Sequence, residues 1–323
     1  MKKTIFTLAA LCMAVAANAT ILRVSNVTGS SAPYSDLQVA VDAASAGDTI
    51  MVDGSVTDYG TITISKTIVL IGPGYWRVEN GLIEEGASSA VVSKVTIEET
   101  AEGTVLKGLE TNGEISVNAP NVIITKCLVR SGIKLRPNST RCVIHQNRIA
   151  PYNVEPIYAI EDAPVSYVQI TNNIMQIGNA SHIYRINESY VAYNTIFNGR
   201  GFMNNCNNCT FEKNILDGCG DEGLKSNCTL VDNYSQYGRI YQKYSPGSSW
   251  NNKLEGSDLV IKNEVIENDE TREGIAGKGA FAGDSPYVIS GIPDAPVIHD
   301  LVMPTTVEKG KKMNVTIKVG IQK

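Results

Sequence analysis

The feature that most constrains the fold is a repeat of about 20 residues in the middle of the chain. "NCTFEKN" begins at Asn208 and "NCTLVDN" begins at Asn227, and both share Asn-Cys-Thr, an apolar residue and a closing Asn. Aligned on that closing residue, the column has steps of 19, 20, 26, 21, 20, 19 and 19 residues and contains Gly108, Cys127, Asn147, Asn173, Asn194, Asn214, Asn233 and Asn252. A fixed period of this size indicates a repeat architecture.

Each repeat carries short alternating apolar segments on both sides of the column. Three residues before it stand Ile144, Ile170, Val191, Phe211 and Leu230, and two residues after it stand Ile149, Met175, Ile196 and Leu216. Paired-helix repeats need about 33–45 residues. A period near 20 predicts one coil of a parallel β-helix, whose coils stack about 4.8 Å apart. Eight coils would form a rod section about 35–40 Å long.

The asparagine column is predicted to be structural. An Asn side chain at a tight bend satisfies backbone groups of its own turn, and it can also bond the same amide one coil away. We therefore expect a ladder of Asn147, Asn173, Asn194, Asn214 and Asn233. A second column five residues earlier contains Val168 and Ser189 besides cysteines, which predicts an inward position for small residues; its cysteines are Cys142, Cys209 and Cys228.

The two ends of the solenoid are predicted to be covered. Residues 35–47 read as a short helix with a capping box of Ser35 and Gln38, an apolar face and a stop at Gly47. Such a helix would shield the open end of the first coil. We place the solenoid with this cap at residues 20–262. Residues 263–323 are expected to form a C-terminal cap or small β appendage, with a surface-sorting signal as the alternative.

The capping helix and first coils carry a family resemblance. "LQVAVDAASAGDTIMV" followed by "ISKTIVLIGPG" resembles the start of the right-handed parallel β-helix, pectin-lyase-like superfamily, and the likeness extends over residues 35 to 262. It implies an all-β, right-handed parallel β-helix solenoid with an N-terminal capping helix. Its members include polysaccharide lyases, hydrolases, esterases and adhesins, so it implies no single activity. The chain also resembles exported β-helix proteins of Bacteroides-type bacteria.

The N-terminus predicts export. Lys2 and Lys3 precede an apolar run that ends in Ala17-Asn18-Ala19, which is typical of a signal peptide, residues 1–19, cut after Ala19. The run is too short to span a bilayer. With a signal peptide, we expect a periplasmic, cell-surface or extracellular protein. We also expect a monomer. Without those two lysines the formal charge changes from −5 to −7, which argues against nucleic acid as a partner.

Cysteines and histidines supply few candidates for chemistry. Cys206, Cys209, Cys219 and Cys228 offer sulfur ligands, but the spacing is loose for zinc, and one disulfide among them is an open alternative. The three histidines are His145, His182 and His299, and none has a nucleophile in an elbow motif nearby. The adjacent Asp221 and Glu222 read first as a turn. We predict no metal or cofactor, with Ca²⁺ left open because the lyases resembled here use it.

The strand before each asparagine segment contains the best candidate binding groups. Aligning these strands on their first apolar residue predicts one outward column of Lys134, Tyr158, Tyr184, Met203, Lys225 and Tyr241. Tyrosine rings can stack on sugar rings, and the lysines can attract acidic groups. Candidates for the base and carboxylate-binding groups of a lyase are Lys134, Arg136, Tyr184, Arg185 and Lys225.

Two functions are consistent with these patterns. The chain contains none of the catalytic motifs of the β-helix glycosidases that it resembles, which favours an exported protein that binds glycan or cell-surface polysaccharide through the Tyr/Lys column. The alternative is a polysaccharide lyase or hydrolase that acts on uronate-containing chains in the same groove.

Overall fold

A computed structural model describes most of the predicted solenoid. The described residues are 19–77, 88–151, 154–160, 163–176, 181–197, 201–217, 227–235, 259–262, 265–268, 277–293, 296–302 and 316–321. Most of the predicted signal peptide lies outside them, as do Cys219, Asp221, Glu222, Lys225, Tyr241 and Asn252.

Three long parallel sheets dominate the described residues. Sheet A has ten strands, Ile21–Val24, Thr49–Val52, Val69–Ile71, Val105–Lys107, Ile123–Thr125, Val143–His145, Gln169–Thr171, Tyr190–Ala192, Thr210–Glu212 and Thr229–Val231. Sheet C has eight, Val91–Val92, Glu110–Thr111, Leu128–Val129, Arg148–Ile149, Ile174–Gln176, Thr195–Phe197, Ile215–Asp217 and Tyr234–Ser235. Sheet B has seven, Thr61–Ile64, Lys94–Ile97, Ile115–Val117, Ile133–Leu135, Ile157–Ala159, Ser181–Tyr184 and Gly201–Asn204.

The chain passes through sheets A, C and B in turn and then starts the next coil. Equivalent strands pair in parallel without slipping, as Ile124 does with Ile144, and Ile144 with Ile170. The stacked residues of this inward position are almost completely buried over five coils: Ile124, Ile144, Ile170, Val191 and Phe211. Period-2 alternation explains this, because every second side chain of a strand faces the interior. The prediction of an all-β parallel β-helix is confirmed.

A tight turn joins sheet A to sheet C in successive coils. The residue before each column position has left-handed backbone, with φ between 46° and 56°, at Lys126, Gln146, Asn172, Tyr193, Lys213 and Asp232. In the coil before Lys126 this left-handed position is Gly108, at φ 65°. Leu109 therefore occupies the column, and the sequence alignment was wrong by one residue there.

The asparagine column forms a continuous hydrogen-bonded ladder, as predicted. Asn147 Nδ2 donates to Ile124 O at 2.8 Å and to Asn173 Oδ1 at 3.0 Å, and the Asn147 backbone N donates to the same oxygen at 2.9 Å. Asn173, Asn194 and Asn214 repeat the pattern toward Asn233. These amides are buried and bonded, so the ladder is architectural.

The second column also faces inward. Cys142, Val168, Ser189 and Cys209 are buried, and Cys228 at the last described coil is half-buried. Each lies directly before a strand of sheet A. The expectation of small inward side chains here is confirmed.

The capping helix is shorter than predicted and is capped differently. It spans Leu37–Ala43, and the side chain of Asp36 accepts a hydrogen bond from Val39 N at 2.9 Å. Asp36 is therefore the N-cap, and the capping box of Ser35 and Gln38 was wrong. Gln38 instead bonds the backbone of Thr63 in the first strand of sheet B, at 2.7 and 3.1 Å. Leu37, Ala40 and Val41 are buried against the first coils, as a cap requires.

Residues 277–293 run back along the solenoid over sheet C. Gly279 N donates to Lys213 O at 2.9 Å, and Tyr75 N donates to Ser290 O at 2.8 Å, so the segment extends from a late coil to an early one. It contains a short 3-10 helix, Ile289–Gly291. Two antiparallel pairs follow the solenoid, Leu259–Lys262 with Val265–Asn268 and Pro296–Val302 with Thr316–Ile321. A small parallel pair, Val165–Ser166 with Ile186–Asn187, lies between sheets B and A in the chain.

Candidate functional site

The outward side of sheet B carries a polar column that runs through seven coils. Strand register places its members in the order Thr63, Thr96, Ser116, Lys134, Tyr158, Tyr184 and Asn204. The predicted neighbours Lys134, Tyr158 and Tyr184 are therefore brought together. The predicted place of Met203 was wrong: it pairs with the inward Ile183 and is buried. The first apolar residue of that strand is Phe202, one position before the residue that pairs with Ile183, so alignment on Phe202 shifts the strand by one residue.

A cleft of about 290 Å³ opens at this column. Its lining consists of Lys134, Glu155, Tyr158, Ala159, Ile160, Tyr184 and Arg185. The Lys134 ammonium lies 5.8 Å from the centre of the Tyr158 ring, and the Arg185 guanidinium lies 4.7 Å from the centre of the Tyr184 ring. Each aromatic ring is thus paired with a cation, which combines an apolar stacking surface with a charge that can contact an anionic group.

Glu114 contacts two side chains of the cleft, Tyr158 and Lys134, although the sequence patterns did not single it out. The Tyr158 hydroxyl donates a hydrogen bond to Glu114 Oε2, and Lys134 Nζ lies 3.9 Å from the same oxygen. Burial, this hydrogen bond and the nearby charges of Glu114 and Glu155 raise the pKa of Tyr158 well above its ordinary value. Tyr158 is therefore a neutral hydrogen-bond donor at ordinary pH and is unsuited to act as a base.

The remaining candidates of this face divide between the cleft edge and its surroundings. Arg185 has left-handed backbone at φ 61°, an uncommon conformation for arginine, directly after Tyr184. Asn205 Nδ2 donates to the Tyr184 hydroxyl at 3.3 Å. Arg136 lies beyond the cleft lining, and its Nε donates to Ser116 Oγ at 2.9 Å across one coil. Lys225 and Tyr241 stay untested, since they are outside the described residues.

The histidines are not part of this cleft. His145 Nδ1 lies 2.8 Å from Thr171 Oγ1, and its Nε2 lies 3.0 Å from Ser285 Oγ in the segment that crosses sheet C. Desolvation lowers the pKa of His145. His182 is buried, and His299 belongs to the strand Pro296–Val302. His145 therefore joins the solenoid to its C-terminal segment, a contact across 140 residues that no local motif reveals.

Metal-binding groups are scarce in the part of the chain that the structure describes. There, no three His, Cys, Asp or Glu side chains lie close enough to hold an ion. The same residues contain no helix long and apolar enough to cross a bilayer.

Comparison of the chain with family models, with curated proteins and with solved structures gives no significant match. The described residues thus form a parallel β-helix solenoid that has a cleft on sheet B, where two tyrosine rings are each paired with a cation.

Proposed function

We propose that this chain is an exported protein that binds a glycan or cell-surface polysaccharide in the sheet B cleft. The observation that carries the proposal is the pairing of two tyrosine rings with two cations in one cleft, Tyr158 with Lys134 and Tyr184 with Arg185. The rings offer flat surfaces for pyranose rings, and the cations and hydroxyls offer contacts for sugar substituents.

Several features of the cleft favour binding over chemistry. Tyr158 is held by Glu114 as a neutral donor, and the high pKa of its hydroxyl removes it from the role of base. Lys134 is half-buried, and its ammonium already lies 3.9 Å from an anionic partner, the Glu114 carboxylate. Preorganised polar groups of this kind fix a ligand's orientation at low entropic cost.

The direct test is binding of the mature chain, residues 20–323, to a panel of neutral and uronate-containing polysaccharides. We expect binding that falls about 10-fold in Tyr184→Ala, because an aromatic contact contributes up to ~1.5 kcal/mol beyond its area. Tyr190→Ala is a matched control. Tyr190 is a partly exposed tyrosine on sheet A, outside the cleft lining, whose hydroxyl also has a polar side-chain partner, Glu212, at 2.9 Å.

Two results would contradict the proposal. One is the absence of binding across the whole panel, and the other is an equal loss in Tyr184→Ala and Tyr190→Ala. Turnover is a separate outcome. If the absorbance of an unsaturated uronate product appears with the wild-type chain and is lost in Lys134→Ala, the protein is a polysaccharide lyase and the binding proposal is replaced. Circular dichroism of each variant checks that the solenoid is folded.

A further inference from the structure

Cys209 and Cys228 are successive members of one inward column. The next residues, Thr210 and Thr229, are paired in sheet A, and Thr229 N donates to Cys209 O at 2.8 Å. Neighbouring parallel strands lie about 4.8 Å apart. That spacing falls within the Cα separation of about 4.4–6.8 Å that disulfides span. The two cysteines therefore have the backbone geometry of a bridge between consecutive coils.

The two thiols also contact each other. A side-chain hydrogen bond joins their sulfurs, and Cys228 Sγ lies 3.4 Å from Cys206 O. Cys209 is only 1% exposed, whereas Cys228 is half-buried at the last described coil. A reagent can therefore reach Cys228 first, with Cys209 placed behind it to complete the reaction.

The electrostatics agree with that order. The hydrogen bond with Cys209 lowers the pKa of Cys228, although burial opposes the shift. The same hydrogen bond and burial raise the pKa of Cys209. A lowered pKa favours the thiolate of Cys228, and the thiolate is the form that attacks a disulfide.

We propose that Cys209 and Cys228 form a disulfide that staples the last described coil to the preceding one. The oxidant is a disulfide compound such as oxidised glutathione. The Cys228 thiolate attacks one of its sulfurs, forms a mixed disulfide and releases one glutathione thiolate. The Cys209 sulfur, after losing its proton to solvent, attacks the Cys228 sulfur and displaces the second glutathione. The protein loses two electrons and the oxidant gains them.

The other cysteines are less well placed. Among the described residues all five cysteines are thiols. Cys206 is buried and lies three residues before Cys209, with its Sγ 3.6 Å from Asn204 O. Cys142 belongs to the same column as Cys209, but Val168 and Ser189 stand between them, which leaves it without a cysteine neighbour one coil away.

Peptide mapping tests the pairing directly. The mature chain is equilibrated with oxidised glutathione, the remaining thiols are alkylated, and the protein is digested with trypsin without reductant. Cleavage after Arg200, Lys213, Lys225 and Arg239 puts Cys206 and Cys209 in one peptide, Cys219 in the next and Cys228 in a third. We expect the peptides 201–213 and 226–239 to be linked.

Serine variants distinguish the two cysteines of the first peptide. The link should persist in Cys206→Ser and disappear in Cys209→Ser, and Tm should rise by several degrees on oxidation only where the link forms. Full alkylation of both thiols after oxidation would overturn the proposal. So would a link that survives Cys209→Ser or that contains Cys219. Because the readout is a covalent bond, it is independent of glycan binding.

Discussion

The outward sides of sheets C and B differ in what lies on them. On sheet C, the "covered face", Ile174, Ile215 and Tyr234 are buried with Ala280 under residues 279–287. On sheet B, the "open face", Lys134, Tyr158 and Tyr184 line a cleft, and no described segment crosses the two tyrosine rings. Both sheets are built from the same coils with the same spacing.

This difference shows how one repeat builds two kinds of outward surface. Beneath the covered face, the ladder asparagines use their amides on each other and on the backbone, so they hold no group ready for a ligand. On the open face the outward side chains have only partial internal partners, as Lys134 does with Glu114 at 3.9 Å. Periodicity alone therefore does not show which outward face stays open to a ligand, and the coverage of each face does.

The largest expected effect is on the ladder itself. Asn194→Ala removes the acceptor of Asn173 N and Nδ2 at 2.9 and 3.0 Å and leaves the buried Ile170 O without its donor. Because several buried groups lose partners together, we expect a loss of about 2–4 kcal/mol in the free energy of unfolding, measured by denaturant titration.

Asn138→Ala is the control for this change. Asn138 is half-buried and bonds Asn118 only at 3.5 Å, so its loss should cost less than about 0.5 kcal/mol. Equal costs at Asn138 and Asn194 would show that the ladder is not the main stabilising column.

The next effect concerns the segment that makes the covered face. Gly291→Ala places a Cβ 2.1 Å from Lys126 O and 2.6 Å from the Tyr75 ring, so the segment has to shift away from the solenoid. We expect a loss of about 2 kcal/mol and faster tryptic cleavage at Lys278. Gly277→Ala shares the positive φ but meets nothing within 4 Å, which isolates backbone strain of about 1 kcal/mol.

A smaller effect is expected on the open face. Glu114→Gln keeps a partner for the Tyr158 hydroxyl and removes the negative charge near Lys134. Affinity for a uronate polysaccharide should rise about 2- to 5-fold, as for a partly exposed ion pair. Glu212→Gln makes the same change beside Tyr190 on sheet A and should have no effect. A rise in both variants would indicate that the overall charge of the protein, and not the cleft, sets the change in affinity.

The smallest effect is the pH dependence of the covered face. Desolvation lowers the pKa of His145 below its ordinary value near 6.5. The stabilisation is therefore complete above that ordinary pKa and is lost as the pH falls through it toward the folded-state value. We expect Tm to fall more between pH 7.5 and 5.5 in the wild-type chain than in His145→Gln. Identical pH profiles would remove His145 from this role.

Sequence determined the architecture of this protein because each coil stacks on coils that have the same residue pattern. A period near 20 and the recurring Asn therefore predict both the fold and the ladder, and the inward cysteine column follows from the same alignment. The adjacency of Lys134, Tyr158 and Tyr184 could also be predicted, since each of them directly follows an inward isoleucine of its strand.

Only the tertiary structure decided what depends on loops and on distant contacts. A phase change of one residue exchanges the inside and the outside of a strand, which is why Met203 faces the core and Asn204 continues the column. The Glu114–Tyr158 contact spans 44 residues, and Ser285 reaches His145 across 140. Such pairs leave no local pattern, because the chain between them sets their approach through three-dimensional packing.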